Sequence, residues 1–234
     1  MDKKALQLTA RFSLPPNSMG YCGDNTASSK LINCVIKGEC VDIEAELKNF
    51  IVLNPYLNTL TKITNKDKYS YPLQEAYWLG NSELKKAQIS HYSILLENFK
   101  KQGVPDWLLS ELKEKIPNTF IPFHLFQVLH VGVGKASGSV PYNLETINNC
   151  MVRWGQVKKI SKTKLTVSLN SLEEIDKKFK LKLTTASFAY HPGFLPDIKI
   201  GDTVAVHWLQ VVKILTPAEI KNLTYWTQLT LNTI

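Results

Sequence analysis

Several side chains that suit a borderline metal stand far apart in this chain. Cys150 heads the stretch Cys150-Met-Val-Arg-Trp-Gly-Gln-Val157, and His207 closes Ile200-Gly-Asp-Thr-Val-Ala-Val-His207. A thiolate and a neutral imidazole are good ligands for Fe(II), and two protein ligands leave coordination positions open for exchange. Period-two patterning places Cys150 at the start of one strand and His207 near the end of another, so the pair forms a site if those ends meet. The alternative is a small buried thiol at a strand start and a surface or interdomain histidine. His124 and His130, in the apolar segment Phe120–Gly134, fall on one face of a strand or on different faces of a helix. In such company each requires a hydrogen-bond partner or a metal. Cys22, in the loop Met19-Gly20-Tyr21-Cys22-Gly23-Asp24, is either an accessible ligand or a small residue packed beneath a turn. The candidate metal ligands are therefore Cys150, His207, His124, His130 and Cys22. Other motifs fall short: Gly132, Gly134 and Gly138 do not form a dinucleotide fingerprint, and Glu75 and Glu97 lack the Glu-x-x-His partner of a di-iron site.

The elements that must position these residues divide the chain into 1–148 and 149–234. Residues 1–41 lack a sustained period and carry turn chemistry, including Pro15-Pro16. From Asp42 the spacing predicts helices: one through Ile43 and Leu47, and one opened by Asn54-Pro55. A third is opened by Pro72, a longer one is capped by Ser82 and stopped by Gly103, and one starts at Pro105-Asp106 with Trp107 among its apolar anchors. From Asn149 the pattern alternates, giving strands over 150–160, around 165–170, around 179–184 and from Thr203, with a charged connector at 172–178. Thr216, Pro217 and Glu219 form a capping box for a final helix expected to dock on the sheet. The fold class is α+β: a mainly helical domain followed by a small OB- or SH3-like β-barrel with a C-terminal helix.

The 234 residues are 44% hydrophobic, which is ample for a packed core. No apolar run is long enough to span a bilayer, and the N-terminus reads as no export signal, so a cytoplasmic protein is expected. Four cysteines without a CxxC pair are then expected to be thiols. The net charge is +8, and residues 150–234 hold twelve basic and six acidic side chains. That surplus suits an acidic partner, an anionic ligand or nucleic acid, or a solvated lysine-rich face.

The cysteine spacing Cys150-x-x-x-x-Gly155-x-Val157, the strand Gly201-Asp-Thr-Val-Ala-Val-His207 and the short final helix resemble the HypC/HupF family of hydrogenase-maturation chaperones. The resemblance covers residues 150–234 and implies an OB-like barrel in which Cys150 and His207 hold an iron fragment bound for a client protein. The chain departs from that pattern in three places: Cys150 lies mid-chain, Trp154 stands where the family has proline, and Trp208-Leu-Gln follows His207. The Tyr-Cys-Gly loop, Glu75-Ala-Tyr-Trp-Leu-Gly-Asn81 and the two-histidine segment also resemble an uncharacterised bacterial family linked to hydrogenase genes.

Three functions follow as expectations. The first is an accessory or chaperone-like factor in metallocentre assembly, binding iron and a client or maturation protein, and not itself an enzyme. The second is a metal- or thiol-dependent enzyme in which His124, His130 and Cys22 converge on Cys150 or His207 between the domains. The third, disfavoured, is an OB-like nucleic-acid binder that uses the basic C-terminal region. No membrane association is expected.

Overall fold

The first helix of the computed structural model, which describes residues 2–234, lies where turns were expected. α1 (Lys3–Ser18) is capped by the Asp2 side chain, which accepts from the Ala5 N–H. It shows no amphipathic period because it is covered on nearly every side: Leu6, Leu8, Ala10 and Phe12 are all buried, and the helix packs on neighbouring helices and on two strands of the sheet. Pro15 and Pro16 sit in its last turns, where the fixed φ of proline still suits a helix. α2 (Ser28–Lys37) ends at Gly38, whose φ of 70° turns the chain back on itself. That reversal brings Cys40 over Cys34, and the two are joined as a disulfide, not held as separate thiols.

The helical layer continues with α3 (Ile43–Leu47), α4 (Leu53–Thr64) and α5 (Tyr71–Trp78). Asn54 lies inside α4, not at its cap, and its side chain is taken by Gln102 and Lys68. The helix expected from Ser82 is instead two 3₁₀ turns, Ser82–Lys86 and Ile89–His91, leading into α6 (Tyr92–Gln102), with Asn81 as the capping residue. α7 (Asp106–Glu114) buries Leu108, Leu109 and Leu112, while Trp107 points outward and is 57% exposed.

The two-histidine segment is helical. α8 (His124–Phe126) runs into a π-helical turn, Gln127–Gly132, which widens the backbone just after His124. Such turns occur often at functional sites. α9 (Leu144–Cys150) follows, so Cys150 closes a helix and does not open a strand.

Five strands follow: β1 (Arg153–Ile160), β2 (Lys164–Ile175), β3 (Lys178–Tyr190), β4 (Thr203–His207) and β5 (Gln210–Ile214). Their order, β1-β2-β3-β5-β4, closes when β4 pairs back onto β1, and only the β3–β5 contact is parallel. Gly155 faces Leu169 at a crossing with no room for a Cβ. The segment expected as a charged connector is the tip of the long β2–β3 hairpin, turned by Asp176 and Lys177 at positive φ. β5 was not expected. It is reached through an equally tight turn of Trp208 and Leu209, with φ values of 43° and 63°.

α10 (Pro217–Leu231) has the capping box read from Thr216 and Glu219. Its inner face nevertheless covers the helical layer more than the sheet: Trp226 packs against Gly80, and the Tyr71 hydroxyl donates to Glu219. Lys213 of β5 pairs with the same carboxylate at 2.9 Å, fixing the helix entry to the strand before it. The fold is thus mixed α+β: N-terminal helices, a five-stranded mixed sheet and a C-terminal helix. Among the described residues no helix is long and apolar enough to cross a membrane.

Candidate metal centre

α1, α8, α9 and β4 meet at one point, and three of the candidate ligands meet there with them. His124, Cys150 and His207 are all buried, and one ligand atom from each can be chosen so that all three lie within 4.8 Å of one another. Cys150 Sγ is 4.0 Å from His124 Nε2, and the two imidazole rings stand edge to face with centroids 5.2 Å apart. Trp78, stacked on Phe12, touches both rings and walls the cluster from the helical side.

Each histidine is aimed by a helical carbonyl that its own helix cannot use. Pro16 has no N–H, so the Phe12 carbonyl of α1 loses its intrahelical donor. His207 Nδ1 takes that carbonyl at 2.6 Å, which places the ring proton on Nδ1 and turns a bare Nε2 lone pair inward. Among the described residues that Nε2 is a buried acceptor with no partner. The Cys150 carbonyl lies in the last turn of α9, where carbonyls have no helical donor, and it faces His124 Nε2 at 2.8 Å. On the other side of the ring, His124 Nδ1 lies 3.1 Å from both the Tyr77 hydroxyl and Gln127 Oε1. The Gln127 carbonyl can therefore hold the ring proton when Nε2 gives it up, the outer-sphere arrangement typical of a metal-ligating imidazole. The Asn149 carbonyl, one residue earlier, accepts the Trp208 N–H at 2.7 Å and pins the β4–β5 turn to the end of α9.

Burial sets the charge state of the cluster. It pushes the Cys150 thiol well above its ordinary range, helped by the nearby Cys22 and opposed by Trp208, whose indole N–H comes near the sulfur without a well-formed hydrogen bond. Burial also holds His124 down to about 4 and His207 well below the ordinary imidazole value, the latter further lowered by His124. At neutral pH the cluster is thus two neutral imidazoles and a thiol, ready for a cation once one proton leaves the sulfur.

The remaining candidates lie at different distances from this point. Cys22 lines the same cavity, and burial pushes its thiol up to about 12, but it is not one of the three clustered ligands. His130, six residues along a helical segment, faces away and bonds the Tyr92 hydroxyl at 2.9 Å. The cavity has a volume of about 260 Å³ and lies between the Tyr21–Gly23 loop, the Phe50–Leu53 segment and the Gly132–Gly134 turn. Ser13 and Gln127 also line it and were not singled out from the sequence, while Tyr77 and Trp208 were named there only within motifs and not as site residues. The one available signal was Trp208, the bulky residue directly after His207.

A helical layer closed over a five-stranded sheet, with a buried His–Cys–His cluster at their junction, describes the class of protein. The chain belongs to DUF6390, a family of unknown function, whose model matches residues 1–234. No curated protein and no solved structure matches the chain.

Proposed function

We propose that the protein binds one transition metal through His124, Cys150 and His207 and uses its open side on a small molecule admitted through the adjoining cavity. The observation that carries this reading is the His207 Nε2 lone pair, buried without a donor beside a thiol and a second imidazole. Leaving such an acceptor unpaired costs about 1–3 kcal/mol, which a metal bond more than offsets. Three mixed nitrogen and sulfur ligands suit a borderline ion such as Fe(II) or zinc. In a tetrahedral site such ligands lie about 3.6 Å apart, so the cluster would tighten by about an ångström on binding. Burial of all three ligands favours a resident metal, hence metal-dependent chemistry, over a surface cargo.

A second reading is an accessory factor in metallocentre assembly, with Cys150 and His207 holding iron for a client protein. The adjacency of those two residues and a sheet order compatible with an OB-like barrel support it. Metal analysis of anaerobically purified protein tests both readings. One equivalent per chain, lost in Cys150→Ala and His207→Ala, is expected, and metal-free wild type that takes up neither Fe(II) nor Zn(II) would exclude both. Slow loss to an added chelator then marks a resident metal, and rapid loss marks a carrier.

A further inference from the structure

Three buried polar atoms without partners belong to residues that line one cavity: the bare His207 Nε2, the Ser13 hydroxyl and the Trp208 indole N–H. The first is an acceptor assigned above to the metal. The other two can both donate, and both belong to residues that line the space on the open side of the cluster. Trp208 holds its place at a cost. It and Leu209 form a two-residue hairpin turn with both φ positive, the conformation that Asn-Gly sequences adopt readily and a tryptophan does not. Strain of this kind persists where surrounding structure enforces it, as the Asn149 carbonyl does here, and it clusters at ligand sites.

The rest of the lining narrows the ligand. No Asp or Glu contributes to it, so nothing repels a negative charge. The lining also includes the aliphatic side chains of Ile51, Val52, Val133 and Val140, with Asn49, Ser137 and Ser139 among them.

We infer that the cavity binds a short-chain carboxylate or similar small anion: its head on the metal's open position is hydrogen-bonded by Trp208 and Ser13, and its tail lies among the aliphatic side chains. The inference rests on the metal reading above. It is tested with the cobalt(II)-loaded protein, whose visible spectrum reports both metal binding and a change of ligand, by titrating azide, acetate and butyrate. Saturable spectral shifts are expected with all three, with butyrate roughly tenfold tighter than acetate because two further methylenes leave water. Trp208→Phe, which keeps a ring against Tyr21, should weaken all three by about tenfold or more. Ser13→Ala supplies a second, smaller substitution and should also weaken them. A cobalt spectrum that no anion changes would overturn the anion site and leave the metal centre standing. So would anion binding that neither substitution affects, or butyrate binding no tighter than acetate. Failure of cobalt to bind would overturn the metal reading and this inference together.

Discussion

Metal binding should release one proton per ion at neutral pH, and that proton should come from Cys150. Burial holds His124 down to about 4 and His207 well below its ordinary value, so both imidazoles are already neutral and contribute no proton. The Cys150 thiol is pushed well above its ordinary range and must be deprotonated before its sulfur can coordinate. Affinity should therefore rise tenfold per pH unit, which is 100-fold, or about 2.7 kcal/mol, between about pH 6 and about pH 8. Calorimetric titration of Zn(II) in two buffers of different ionisation enthalpy measures the proton count directly. Cys150→Ser should bind far more weakly with a flatter pH profile. Release of no proton would mean that the thiol is not a ligand, and release of two or three at neutral pH would mean that the imidazoles are charged in the empty site. Either result refutes the burial argument.

Three further outcomes follow. Pro16→Ala restores an N–H that competes with His207 for the Phe12 carbonyl, so metal affinity should fall by about 10–100-fold with little change in thermal stability; unchanged affinity would show that this hydrogen bond does not orient the ring. Gly80 has a φ of 77°, and a Cβ there would overlap Trp226. Gly80→Ala should therefore cost about 2–4 kcal/mol in urea unfolding, and a loss below about 0.5 kcal/mol would mean that α10 is not seated there. Metal-free protein should lose stability in mild acid, because His124 and His130 are each held down to about 4 by burial while unfolded histidine titrates near 6.5. The unfolded chain binds the extra protons, so stability falls as pH drops from about 6.5 towards about 4, by about 3 kcal/mol for His124 and less for the half-buried His130. A flat profile in urea unfolding at several pH values would contradict this.

The sequence was most legible where one face meets water. The alternation in β2 and the Thr216–Glu219 cap could be read directly, because each has a polar side against which to see the pattern, whereas in β3 the alternation fades after Lys182 and Leu183 is 68% exposed. α1 was hidden for the opposite reason: it is buried nearly all round, so its hydrophobicity has no period, and its two prolines look like a break. β5 was hidden by a turn made from Trp208 and Leu209, residues that carry no turn signal. At the site, the ligand types were visible but their selection was not. The six-residue spacing of His124 and His130 left strand and helix open, and the helical outcome means that only His124 reaches Cys150. The disulfide escaped notice because Cys34 and Cys40 show no recognisable motif. What joins them is the left-handed Gly38 between them.

X-ray absorption at the metal edge of the protein loaded with one equivalent of Zn(II) tests the central claim most directly. The predicted coordination sphere holds one sulfur at about 2.3 Å and two imidazole nitrogens at about 2.0–2.1 Å, with a light atom completing it. Loss of the sulfur in Cys150→Ser and of one imidazole in His207→Ala should follow. A sphere of oxygen atoms alone, or a sulfur signal that survives Cys150→Ser, would contradict the assignment of His124, Cys150 and His207 as the metal centre.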